Sequence, residues 1–354
     1  MPALKALLVT PLTGPLALFG RASAQGLALW ADSAANLHTP WQTVELDVRD
    51  SGSDPTGAMR AALDSQPDVV FGPYGSAPMR TVARNSDRVI WNHGGASASL
   101  THPTFPRIIN VISPATAYFI GILQAVRAID PATSTVTFLH TTTGFGRDIA
   151  TGVRATANEL NFAVHFIPFV PGQAISQVEN VPHADILLVA GNFADEQTLA
   201  PILLRRSWRA AAFVGAGVEE VLADLDEQRE GLLGPAQWLA TVPLQPDEGP
   251  DAAWFVTHYR HRFGTEPAYP AAQSFAAGVL FAHCLRENSG NVDDEAQLAA
   301  ANQIACTTLY GKFRLDPTTG LQTGHQVLLV QWQQGKRRVI WPPEYAERPL
   351  HYPL

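Results

Sequence analysis

Three short stretches place hydroxyls or backbone amides where a β-strand gives way to a helix. They are Gly72-Pro73-Tyr74-Gly75-Ser76, Gly94-Gly95-Ala96-Ser97 and Thr143-Gly144-Phe145-Gly146. A helix N-terminus carries unpaired N–H groups and a partial positive charge, so a small anion such as a carboxylate sits there readily. Here the arrangement recurs beside aromatic residues, with no nucleophile and base in view. That chemistry holds a small molecule rather than transforming it.

Catalytic readings of the same residues are weak. Gly144-Phe145-Gly146 is half of a dinucleotide fingerprint, without its third glycine or an acid on the next strand. No G-x-S-x-G elbow occurs, and Ser97 lacks a base partner. His258 and His261 share a helix face at i, i+3, but no third ligand accompanies them, and Arg260 and Arg262 disfavour a cation. No cofactor, metal site or enzymatic activity is expected. An α/β hydrolase or dehydrogenase is the reading from another class, and turnover of a bound ligand or nicotinamide binding would favour it.

The elements that must position these stretches alternate. Leu4–Val9 is an apolar run suited to a strand buried on both faces. A helix follows over Leu16–Leu37. Val44, Leu46 and Val48 alternate with charged residues in a half-exposed strand, and Asp54-Pro55 caps and opens the next helix. Asp68–Phe71 and Arg88–Asn92 are strands on either side of a helix over Ser76–Asn85. Further strands are expected at Val136–His140, Ala163–Pro168, Asp185–Ala190, Ala211–Gly215 and Gln237–Thr241, with helices over Arg147–Leu160 and Glu196–Arg206. Helices near Ala252–Phe263 and Ala271–Arg286 precede strands at Phe313–Leu315, Val327–Gln331 and Arg338–Trp341. Such alternation means βαβ units and parallel sheets.

At 354 residues the chain suits two α/β domains. No run of about 18 apolar residues offers a membrane span. The net charge of −8 argues against a nucleic-acid groove, and Lys336-Arg337-Arg338 reads as an exposed strand edge rather than a basic patch. Met1-Pro2-Ala3 runs into the first strand with no charged segment or cleavage site. Either a targeting segment was trimmed or the protein is cytosolic. Cys284 and Cys306 are too few for a disulfide framework; Cys284 reads as a buried thiol, and whether the two pair stays open.

Taken in order, several segments resemble one known family. They are Gly14-Pro15-Leu16-Ala17-Leu18-Phe19-Gly20, Val70-Phe71-Gly72-Pro73-Tyr74-Gly75-Ser76, Gly95-Ala96-Ser97, Thr143-Gly144-Phe145-Gly146-Arg147, Tyr269-Pro270-Ala271-Ala272-Gln273 and Tyr310-Gly311-Lys312-Phe313. Over nearly its whole length the chain resembles the type I periplasmic solute-binding proteins, specifically the branched-chain amino-acid (Leu/Ile/Val) receptors of ABC transporters. The resemblance implies an α/β protein of two doubly wound parallel-sheet lobes joined by three crossovers. Lobe one would be 1–116 plus 243–322, lobe two 117–242 plus 323–354, with ligand between them. It implies a monomeric extracytoplasmic receptor, periplasmic or membrane-anchored, that serves a permease. A cytosolic sensor of the same fold, controlling a regulatory partner, is the alternative.

In this family a ligand carboxylate is held at the positions matching Ser76 and Ser97, and Gly95 would offer its carbonyl to a ligand donor. Tyr74 is a further candidate contact. The aromatic walls match Phe19, Phe145 and Asn192 or Phe193. Phenylalanine in place of tyrosine makes these walls more apolar. One departure stands out. Where amino-acid receptors of the group carry an acid for the ligand ammonium, this chain has Gly217, and the nearest acids are Glu219 and Glu220. A buried ammonium without a partner costs several kcal/mol. Either Glu219 or another acid takes that role, or the ligand is a carboxylate without an α-ammonium.

Overall fold

The computed structural model describes residues 3–34 and 41–354. The chain forms two compact units, one of residues 1–113 and 238–326, the other of residues 114–237 and 327–354, so it passes between them three times.

Unit 1 opens with β1 (Leu4–Thr10), α1 (Ala17–Ser33), β2 (Val44–Asp50), α2 (Pro55–Leu63), β3 (Val69–Phe71), α3 (Ser76–Ala83), β4 (Ile90–Asn92) and β5 (Ile108–Asn110). The end of the expected first helix, toward Leu37, lies outside the described residues. Asp54 caps α2 as expected, accepting from the Gly57 amide at 2.9 Å. The five strands form a parallel sheet in the order β2-β1-β3-β4-β5. The continuous apolar run of β1 is explained by its two covered faces. Leu4, Ala6 and Leu8 join a core with Trp30, Phe71 and Trp91, while Leu7 and Val9 join Met59, Met79 and Ile90 on the other side.

Unit 2 begins with α4 (Ile120–Ile129), β6 (Thr135–Thr141), α5 (Gly144–Glu159), β7 (Ala163–Phe169), β8 (Ile186–Ala190), α6 (Phe193–Leu203), β9 (Ala210–Phe213) and β10 (Leu233–Ala236). The chain then returns to unit 1 for α7 (Ala252–Phe263), α8 (Tyr269–Glu287), α9 (Asp294–Gln303), β11 (Cys306–Thr308) and β12 (Gly311–Phe313). It ends in unit 2 with β13 (Leu328–Gln333) and β14 (Lys336–Trp341). The unit 2 sheet runs β14-β13-β10-β9-β8-β6-β7; β13 and β14 are antiparallel additions to a parallel core. Lys336-Arg337-Arg338 is indeed at a sheet edge.

Several expectations need correction. The strand expected over Gln237–Thr241 is instead Leu233–Ala236, paired antiparallel with Leu328–Gln331. The apolar Trp238 misled the pattern. Its indole belongs to the core of unit 1, donating to the Leu309 carbonyl at 3.0 Å, because the chain changes unit between Gln237 and Trp238. The strand expected at Phe313–Leu315 is Gly311–Phe313, and Leu315 makes only an isolated bridge to Gln322. Four elements had no sequence expectation: α4, the three-residue β5 and β11, and α9, whose alanine-rich segment buries only Gln297, Ala300 and Ala301. Cys284 and Cys306 are both buried and free, with burial raising both thiols, Cys306 to about 12.

Candidate functional site

In a parallel sheet every loop that follows a strand lies along the same edge, and ligands settle where the strand order reverses. In unit 1 that reversal falls between β1 and β3. The loop after β1 is anchored by Asp50, which accepts from the Leu12 amide at 2.8 Å and the Thr13 hydroxyl at 2.7 Å. Those hydrogen bonds, led by Thr13, hold the Asp50 carboxyl below its ordinary value. The loop after β3 is tied to β1 by the Tyr74 amide, which donates to Thr10 Oγ1 at 3.4 Å.

Aromatic residues meet across this reversal. Phe19, in the first turns of α1, is buried and stacks on Tyr74 with ring centroids 5.0 Å apart and planes 11° from parallel. Tyr269, the first residue of α8, lies 6.1 Å from Phe19, and its hydroxyl shares a hydrogen bond with that of Tyr74. A stacked pair with a third ring tilted against it makes an apolar surface carrying hydroxyls at one end.

Beside these rings α3 begins. Gly75 is its N-cap, at φ +103°, where an L-residue would be strained, and its amide donates to the Gly94 carbonyl at 3.0 Å. Ser76 is therefore the first helical residue and not the cap; it is half-buried. The loop after β4 is shaped by Asn92. Its Oδ1 accepts from the Gly95 amide at 2.7 Å, and its Nδ2 donates to the Gly95 carbonyl at 2.8 Å and to Asn110 Oδ1 at 2.8 Å. Asn110 in turn donates to the Leu100 and Gly320 carbonyls, both at 2.9 Å. The Gly95 carbonyl thus already accepts one hydrogen bond. Ser97 is buried, with Oγ 2.9 Å from Ser99 Oγ, and it caps no helix. His93 between them is fully buried; both ring nitrogens lack a hydrogen-bond partner among the described residues, and burial lowers its pKa to about 4.

Unit 2 repeats the logic, with its reversal between β6 and β8. Thr143 caps α5, its Oγ1 accepting from the Gly146 amide at 3.2 Å, and this presents half-buried Phe145 in the first turn. Tyr118 meets Phe145 edge-on, centroids 5.5 Å apart, and the Tyr118 hydroxyl accepts from Gln237 Nε2 at 3.1 Å. After β8, Asn192 caps α6 by accepting from the Asp195 amide at 2.8 Å, with half-buried Phe193 next to it.

Behind these loops Glu196 is fully buried and fastens both strand ends. Its carboxylate accepts from the Gly191 amide at 2.9 Å and the Gly215 amide at 2.6 Å. Burial pushes its pKa up to about 8 against the pull of those amides. Gly217 closes the turn after β9. A Cβ there would fall 2.7 Å from the Pro235 carbonyl carbon and closer still to its oxygen. Its own carbonyl accepts from Arg337 Nη1 at 2.7 Å. Glu219 is exposed and paired with the same guanidinium, Oε2 to Nε at 2.9 Å.

The reversal in unit 1 therefore brings together Phe19, Tyr74 and the start of α3 at Ser76, with Gly95 and Ser97 on the neighbouring loop. The reversal in unit 2 carries Phe145, Asn192 and Phe193, whereas Glu219 sits beyond β9 in an ion pair. Sequence reasoning missed Tyr269, although it opens a Tyr-Pro helix start that was already singled out. It also missed Tyr118 and Gln237, which lie where no element, or the wrong one, was expected. Among the described residues no three His, Cys, Asp or Glu side chains converge to hold a metal.

A sequence profile described as periplasmic binding protein matches residues 4–337, nearly the whole chain. The chain belongs to the periplasmic binding protein family. Solved structures of similar fold include an ABC-transporter solute-binding protein of R. palustris in complex with benzoate, 15% identical over 99% of both chains, TM-score 0.76. A leucine-binding protein of Thermotoga maritima is 18% identical over 95% of this chain and 97% of its own, TM-score 0.78. A solute-binding protein of Rhodopseudomonas palustris HaA2 in complex with p-hydroxybenzoic acid is 18% identical over 96% and 95%, TM-score 0.78. At these identities the likeness is one of fold. This periplasmic binding protein has, among its described residues, no helix long and apolar enough to cross a membrane.

Proposed function

We propose that this chain is the extracytoplasmic receptor of an ABC importer and binds an aromatic carboxylate that lacks an α-ammonium. It acts as a monomer, delivers its ligand to a permease, and has no catalytic role. The amides at the start of α3, with Ser76 and Ser97, take the carboxylate, and Phe19, Tyr74 and Phe145 take the ring. Asn192 and Phe193 border the ring side, and the Gly95 carbonyl keeps its hydrogen bond from Asn92 rather than meeting a ligand donor.

One observation carries the choice of ligand class. Three acids around these loops are already engaged, Asp50 by Leu12 and Thr13, Glu196 by two strand-end amides, and Glu219 by Arg337, while Glu220 is exposed. The position matching the family's ammonium partner is Gly217, packed against Pro235. An ammonium would thus be desolvated without a dedicated anion. The benzoate and p-hydroxybenzoate complexes of structural relatives fit the same class.

The test is a thermal-shift panel on ligand-free protein, covering benzoates, aryl 2-oxo acids, branched-chain 2-oxo acids and the matching amino acids. A ligand in hundredfold excess over its Kd stabilises by about 2.7 kcal/mol, a readable shift. The ligand that shifts most is then titrated calorimetrically. Ser97→Ala and Ser76→Ala are each expected to weaken it by about ten- to a hundredfold, since a hydrogen bond to a charged group contributes roughly 1.5–3 kcal/mol. Unchanged affinity in both variants would refute the carboxylate assignment.

A further inference from the structure

The start of α6 holds more of unit 2 than its own helix. Asn192 caps it, and the two residues that complete its first turn, Asp195 and Glu196, are both buried acids. Glu196 ties the ends of β8 and β9 through the Gly191 and Gly215 amides. Asp195 serves a further strand. Its carboxylate accepts from the Gly172 amide, at 2.9 Å to Oδ1 and 3.2 Å to Oδ2, and Gly172 lies in the loop after β7. In the sheet β6 stands between β8 and β7, so this hydrogen bond spans the turn after β6 that carries Phe145. The same turn is joined to the β7 side by the Thr142 amide, which donates to the Phe169 carbonyl at 2.8 Å. Gly172 is exposed, so water would satisfy its amide without help, whereas taking a carboxylate out of water is costly. The hydrogen bond is thus not needed to pair the amide; it holds the loop in place. The loop itself is apolar: no Asp, Glu, Lys or Arg occurs from Leu160 to Val178, and Val170 is 50% exposed.

We infer that Asp195 is a positioning residue for ligand selectivity, holding the loop after β7 as a fixed apolar wall beside the Phe145 turn. The inference rests on the proposed receptor function, and within it only on the unit 2 loops touching the ligand body. A wall discriminates between ligand sizes only where its own position is fixed. A loop that yields admits the larger body and holds the smaller one loosely. The Asp195 backbone amide, not its side chain, donates to the Asn192 cap, so a substitution at 195 leaves the start of α6 capped. That separates two roles. A carboxylate acting through its charge at a helix N-terminus is lost in both Asp195→Ala and Asp195→Asn. A clasp on Gly172 is lost in Asp195→Ala alone, because the asparagine carbonyl oxygen still accepts.

Hydrogen exchange and calorimetry test this together. On ligand-free protein, the peptide spanning Gly172 is expected to exchange about tenfold faster or more in Asp195→Ala, and at the wild-type rate in Asp195→Asn. Calorimetry with benzoate and the larger 2-naphthoate is expected to give affinities at least about tenfold apart in wild type. Asp195→Ala should bring that ratio to within about threefold, and Asp195→Asn should keep it. Thermal unfolding without ligand checks the fold of each variant. Should Asp195→Ala fail to fold, wild type alone decides: saturation with the tighter of the two carboxylates should slow exchange of the Gly172 peptide. No slowing, a wild-type ratio near one, a ratio kept in folded Asp195→Ala, or a ratio lost equally in Asp195→Asn overturns the inference and leaves the receptor reading standing. Absence of binding by every carboxylate in the wider panel overturns both.

Discussion

Gly217→Ala is expected to destabilise unit 2 by roughly 3 kcal/mol, the upper part of the range for overpacking a well-filled site. The added methyl would meet the Pro235 carbonyl, and both partners are backbone, so no flexible side chain can yield. Relief requires β10 to move, and β10 is held between β9 and β13. Thermal unfolding followed by circular dichroism checks the effect; a midpoint within error of wild type would mean that β10 gives way easily. The corollary concerns function. Gly217→Asp would place an acid where amino-acid receptors of the group carry one, yet the same clash applies. It is expected to lose stability without gaining affinity for any amino acid.

Glu196→Ala is expected to cost a comparable amount, about 2–6 kcal/mol. It strips the acceptor from two strand-end amides, those of Gly191 and Gly215, at roughly 1–3 kcal/mol for each buried donor left unpaired. The pH dependence has a defined sign. Burial raises the Glu196 carboxyl to about 8 from an ordinary value near 4.5, so between those pH values the folded state holds more protons than the unfolded one. Its contribution is fully present below about pH 4.5 and is lost as pH rises through about 8. His93 acts in the opposite sense. Burial lowers it to about 4, so stability falls as pH drops below about 6.5. In Glu196→Gln the loss of midpoint between pH 5 and 8 should flatten relative to wild type while the His93 limb stays. Parallel midpoint curves for the two proteins would show that Glu196 does not titrate in this window.

The parallel sheets were legible because strands covered on both faces leave continuous apolar runs, as in Leu4–Val9, and because Asp54-Pro55 is a helix start that sequence alone identifies. The short elements were not. Ile108–Asn110 has three residues and no periodicity, and α9 buries so few side chains that its pattern carries little signal. Trp238 shows a different limit: an apolar residue reports that a core is near but not which of two cores it joins. At the candidate site, Phe19, Tyr74 and Phe145 could be picked out because they stand beside turn glycines at the ends of strands. The Tyr118–Gln237 pair could not. Its members are more than a hundred residues apart and meet only because the chain enters and leaves unit 2 nearby. Gly217 was visible as a departure, but its cause, the Pro235 carbonyl packed against it, exists only in the folded chain.

The central claim, that the ligand is a carboxylate without an ammonium, is tested most directly by a matched pair. Calorimetry on ligand-free protein would compare phenylpyruvate with phenylalanine, which share ring and carboxylate and differ at the α-carbon. The 2-oxo acid is expected to bind at least as tightly as the amino acid, because Asp50, Glu196 and Glu219 are engaged and Gly217 offers no acid. A preference for phenylalanine of more than about a hundredfold, the strength of a hydrogen-bonded charged group, would contradict the account and place an ammonium-binding acid in this receptor.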